Sequence, residues 1–96
     1  MKTAFRFMDG RKDNHNTQDY YYFDPPLEDY DGTKHETAVI SSAHFGESYE
    51  CYIFPCDRSG KWLSYVEMPG SMRGTISHDD VFDNIGYRLI EGDIDV

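Results

Sequence analysis

Apolar and polar positions alternate along the first stretch of the chain. From Lys2 to Met8, Phe5 and Phe7 fall on one side and Ala4, Arg6 and Met8 on the other. A period of two predicts a β-strand. Asp9-Gly10 then opens a polar run through Gln18 that reads as a loop. Tyr20-Tyr21-Tyr22-Phe23 predicts a short aromatic strand. It is expected to stop at Asp24-Pro25-Pro26, because proline brings no N–H to a strand ladder. The simplest pairing of these two strands is a hairpin with a long loop.

The acidic stretch from Leu27 to Glu36 reads as a connector, and Thr37 to Ala43 as the next strand, centred on Val39 and Ile40. His44 to Ser48 predicts a hairpin loop. Tyr49 to Pro55 alternates again, with Tyr49, Cys51 and Ile53 opposite Glu50, Tyr52 and Phe54. Asp57-Arg58-Ser59-Gly60 has Asp first and Gly fourth, the chemistry of a type I turn. Lys61 to Met68 is expected to return as a further strand, so that three consecutive strands form an antiparallel meander. Pro69 to Gly74 is a loop by its proline and two glycines.

One helix follows. Ser77 is placed to cap it, with Asp80 three residues on as an approximate capping box. Asp79 and Asp80 suit the positive end of the helix dipole. Val81 and Ile85 share a face with Phe82 beside them, and Gly86 supplies the stop. Tyr87 to Ile90 reads as a last strand. The expected fold is α+β in one domain, 1–96: a small antiparallel sheet of four to six strands, a central three-stranded meander, and one short helix near the C-terminus.

Composition changes what such a domain is expected to do. The 96 residues carry 18 acidic and nine basic side chains, a net charge of −9. Phosphate binding needs clustered Lys and Arg, so direct nucleic-acid binding and an anionic membrane surface are both disfavoured. No apolar run approaches the ~20 residues of a membrane span. Met1 to Arg6 leads into no apolar segment, so no secretory leader is expected. Cys51 and Cys56 are too few for a secreted disulfide framework, and a reducing cytoplasm of a host cell fits best. High charge and low hydropathy alone suggest disorder, but eight Tyr, six Phe and one Trp oppose it, since each can bury ~150–250 Å².

Chemistry-bearing motifs are absent from this reading. The four histidines and two cysteines stand at no zinc spacing, so no metal is expected. His78-Asp79-Asp80 lies on consecutive helix positions, which point in different directions. Gly70 to Gly74 lacks the lysine of a phosphate loop, and neither Ser71 nor Ser77 sits in a nucleophile motif. The chain is therefore expected to be no enzyme and to need no cofactor.

Two features point to a partner instead. Residues 77–96 hold Asp79, Asp80, Asp83, Glu91, Asp93 and Asp95 against Arg88 alone. Residues 24–36 hold Asp24, Glu28, Asp29, Asp31 and Glu36 against Lys34. These two segments together carry the whole net charge. They form either a solvating coat or a face for a basic protein, where spaced carboxylates imitate backbone phosphates. The second feature is the surplus of tyrosine, a residue that joins apolar area to a hydroxyl and is enriched at binding hot spots. With one helix to cover one face of the sheet, some tyrosines must stay wet. The candidate contact residues are Asp79, Asp80, Asp83, Glu91, Asp93, Asp95, Glu28, Asp29, Asp31, Tyr20, Tyr21 and Tyr30.

In length, acidity and lack of catalytic motif, the chain resembles the small acidic inhibitors of phages and mobile elements, of the anti-CRISPR and anti-restriction type. The resemblance implies stoichiometric binding to a basic host protein or nucleoprotein complex at its nucleic-acid-binding surface. The alternative is an accessory interaction module or homodimer, joined by a sheet edge or tyrosine face, with acidity serving only solubility.

Overall fold

The computed structural model describes residues 1–13 and 16–90. Four long strands run as a meander: β1 (Thr3–Lys12), β2 (Asn16–Glu28), β3 (Lys34–Phe45) and β4 (Ser48–Pro55). Three short elements follow: β5 (Met72–Arg73), helix α1 (His78–Ile85) and β6 (Arg88–Leu89). They complete a six-stranded sheet of order β5-β4-β3-β2-β1-β6. The fold is thus mostly β with one short helix near the C-terminus. All neighbours are antiparallel except β6, which lies parallel to β1, with Thr3 opposite Arg88 and Ala4 opposite Leu89.

The strands are longer than their apolar stretches. β1 continues through Asp9-Gly10 by taking register shifts between Arg6 and Met8 and again between Asp9 and Lys12. The first shift keeps Phe5, Phe7 and Met8 against Tyr22 and Tyr20. Gly10 fits because a Cβ there would strike the Gln18 carbonyl and the Tyr20 ring. β2 likewise passes the two prolines with an irregularity between Tyr22 and Leu27, then pairs Leu27 with His35 and Glu28 with Lys34. The expected connector of 27–36 shrinks to a turn at 29–33.

α1 covers one face of the sheet. Val81 and Phe82 pack there on Ala4, Tyr21, Phe23, Ala38, Ile40, Cys51 and Ile53, with Tyr87 closing the end. Eight residues are too few to be helical unaided, so this contact holds α1 in place. Ser77 takes the N-cap position, but its side chain makes no capping bond. Thr75 braces the helix start instead: its hydroxyl donates to Asp80 Oδ2 (2.6 Å) and accepts the Ser77 N–H (3.0 Å). Gly86, at φ 75°, ends the helix with N–H bonds from Gly86 to the Asp83 carbonyl and from Tyr87 to the Phe82 carbonyl.

The expected third meander strand over 61–68 does not form. Only a single bridge, Cys56 to Trp62, remains of it. The Asp57–Gly60 turn is present, with the Gly60 N–H on the Asp57 carbonyl at 3.0 Å. After it, Trp62 stacks on Phe54 at 4.8 Å between ring centres and bonds to Tyr20, which draws the chain onto the second sheet face. It covers Tyr20, Val39 and Cys56 there. The chain then crosses the β4 edge, and Met68 enters the core beneath α1. On the way it caps that edge. Pro55, Ile53 and Tyr49 give their carbonyls to Leu63, Met68 and Gly74, and Ser71 Oγ accepts the Ile53 N–H. A strand edge so occupied offers few backbone groups to a second chain.

Candidate functional site

The position of each charge decides which surface can meet a partner. Five cations pair with acids on the sheet: Arg6 with Asp9, Arg11 with Asp13, Lys12 with Asp19, Arg58 with Glu36 and Arg73 with Glu50. Among the described residues, none of the ion pairs engages Glu28, Asp31, Glu67, Asp79, Asp80 or Asp83. Acids outside any ion pair among the described residues thus include those on the exposed side of α1 and those around the 29–33 turn, besides Asp24, Glu47 and Asp57, and Lys34 stands opposite Glu28 at the foot of that turn.

The turn is built by Asp29. Its Oδ1 accepts the N–H groups of Asp31 (2.9 Å) and Thr33 (3.0 Å), and its Oδ2 lies 2.9 Å from His35 Nε2. The His35 hydrogen bond, helped by those two backbone bonds, holds the Asp29 carboxyl below the usual carboxylate range. Asp29 is thus a structural residue whose charge is already spoken for. It leaves Tyr30 and Asp31 projecting into solvent.

Facing this turn is the segment after Trp62. Ser64 Oγ accepts the Val66 N–H at 3.0 Å and bends the chain outward. A cleft of about 280 Å³ lies between them, lined by Asp29, Tyr30, Asp31, Pro55, Ser64, Val66 and Glu67. Its lining contains three carboxylates and no Lys or Arg. Around it the chain exposes Tyr30 (70 %), Leu63 (54 %), Tyr65 (81 %) and Val66 (69 %). Tyr30 and Val66 line the cleft itself, and Leu63 and Tyr65 flank its lining residues in sequence, so this end of the sheet is a candidate contact surface.

Other candidate residues fall elsewhere. Tyr20 and Tyr21 are corrected: at 8 % and 3 % exposure they belong to the two cores and present nothing to a partner. Each is buried because β2 is a central strand, covered on both faces. Asp79, Asp80 and Asp83 are exposed on α1, but no α1 residue lines the cleft. Glu28 lines a different groove, shared with Asn84 and Ile85 of α1. Glu91, Asp93 and Asp95 lie outside the described residues. The acidic residues thus do not form one continuous patch with the tyrosines.

One polar cluster has no counterpart in the alternation of the sequence. Asp19, buried at 6 %, pairs with Lys12 and lies 3.5 Å from His78 Nδ1, which also sits 3.1 Å from the Tyr21 hydroxyl. Burial is the main cause that keeps His78 below its usual pKa, against the opposing pull of Asp19. The cluster ties the first turn of α1 to β2. The only sequence signal is an acid, Asp19, directly before the aromatic run. Among the described residues no three His, Cys, Asp or Glu gather as a metal-ligand set. Among the described residues, no helix is long and apolar enough to cross a membrane.

Comparison with protein-family models, with curated proteins and with solved structures finds no match to this chain.

Proposed function

We propose that the chain is a stoichiometric binding protein that occupies a basic surface of a host protein, of the kind that otherwise holds nucleic acid, and so inhibits it. The observation that carries this reading is the pairing of exposed apolar side chains with uncompensated acid at the sheet end. Tyr30, Leu63, Tyr65 and Val66 supply area, while Asp31 and Glu67 supply charge that no ion pair among the described residues neutralises. Apolar anchors inside an acidic rim are what a cationic, partly apolar protein surface requires. The acidic side of α1 adds a field that speeds encounter with such a partner. A total surface of 5837 Å² leaves room for one standard interface of about 800 Å² per partner.

The test is affinity capture from host lysate at low and high salt, followed by competition. A captured protein is expected to release at high salt and to lose its nucleic-acid binding at one equivalent of the chain. A captured protein that holds nucleic acid and the chain together would overturn the reading.

A further inference from the structure

We propose that the cleft between the 29–33 turn and the 63–67 segment is a socket for a single arginine or lysine side chain of the partner protein. The inference rests on the reading of the chain as a binder of a basic surface and names the place where that binding is anchored.

The chemistry follows from the walls. Pro55 is buried and Val66 stands beside it, so the floor and one side are apolar. Long cationic side chains lay their methylene stems on such surface and keep the charged head at a polar rim. At the rim Asp31 and Glu67 are free of ion pairs among the described residues, whereas Asp29 is committed to His35 and the turn. Tyr30, 70 % exposed, adds a ring face of the sort that attracts ammonium and guanidinium groups. An anionic side chain would meet the unpaired carboxylates of Asp31 and Glu67 there, and a neutral one would leave their charge unanswered. The occupant is therefore cationic, and the exposed apolar residues Leu63 and Tyr65 flank it rather than contact its charge.

The socket also has a built-in reporter. Trp62, the one tryptophan, lies 5.5 Å from the Tyr65 ring, centre to centre. Movement of the 63–67 segment on binding will alter its emission.

The experiment titrates the ¹⁵N-labelled chain with an acetylated, amidated peptide of alternating leucine and arginine. A lysine version and a version with neutral citrulline in place of arginine run in parallel. The expected result is amide shifts confined to residues 29–33 and 63–67 with a change in Trp62 fluorescence. Citrulline should weaken binding at least tenfold, as should Asp31→Asn with Glu67→Gln, while Glu47→Gln, exposed in the turn between β3 and β4 at the other end of the sheet, leaves it within twofold. Equal binding of the citrulline peptide overturns the proposal. Shifts on α1 with a silent cleft overturn it too, yet leave the broader reading of a basic partner standing. Absence of shifts with every peptide at millimolar concentration also counts against the socket, while the capture and competition result decides the broader reading separately.

Discussion

The indole Nε1–H of Trp62 donates to the hydroxyl of Tyr20 at 3.1 Å, joining a loop residue to a buried residue of the central strand β2. This bond and the stack of Trp62 on Phe54 hold the segment after β4 against the sheet. They set where Leu63, Tyr65 and Val66 emerge. Trp62→Phe keeps most of the ring packing and removes the donor, so it should lower stability by about 1 kcal/mol. Urea unfolding followed by circular dichroism measures this. A variant as stable as the parent would mean that the bond does not hold the segment.

Acid should destabilise the fold through His78. Its charged form faces Asp19 and the Tyr21 hydroxyl from β2, Lys12 from β1 and Asp79 from its own helix, and burial outweighs the favourable carboxylates. A base whose folded pKa is depressed is neutral in the fold, while the unfolded chain takes up the proton first. Its stabilising contribution is therefore complete above about 6.5 and is lost as pH falls toward the lower folded value. Thermal melts between pH 8 and pH 5 should show a falling midpoint, and His78→Gln should flatten that fall.

Neither thiol should react while the protein is folded. Both are buried, and burial pushes Cys51 up to about 12 and Cys56 up to about 11. The thiolate is the reactive form, so labelling by an aromatic disulfide at neutral pH should be slow in buffer and rapid in denaturant. Fast labelling of either residue in buffer would show that its core cluster opens readily.

Two glycines separate backbone strain from steric conflict. Gly86, at φ 75° with open space around it, should cost about 1 kcal/mol when changed to Ala. Gly70, at φ 102°, adds a clash of the new Cβ with the Ile85 side chain and should cost clearly more. Urea midpoints of the two variants rank them. The reverse order would contradict the packing of the 69–70 turn on α1.

The β1–β2 hairpin, the β3–β4 pairing and the faces of β4 were legible from alternation, since Cys51 and Ile53 do face the helix and Tyr52 and Phe54 do not, whereas the pairing of β2 with β3 was hidden behind a stretch read as a connector. Strand ends were not legible, because bulges at Arg6–Met8 and Tyr22–Leu27 let polar and proline residues stay in the sheet. The missing strand at 61–68 shows the same limit. Its residues carry β propensity, but Trp62 stacks on Phe54 and bonds to Tyr20 instead of extending a ladder, a tertiary contact that no local pattern records. At the candidate site, Asp29, Tyr30 and Asp31 were visible as an acidic turn. Glu67, Val66 and Tyr65 were not, because a stretch read as strand hides its side chains until the chain is seen to leave the sheet.

The most direct measurement compares association and dissociation rates of three forms of the chain on the protein captured from lysate. Asp79→Asn with Asp80→Asn and Asp83→Asn should slow association several-fold and flatten its salt dependence, with little change in dissociation. Tyr30→Ala with Glu67→Gln should instead raise the dissociation rate by tenfold or more. Dissociation unchanged by Tyr30→Ala with Glu67→Gln would contradict the placement of the interface at the sheet end.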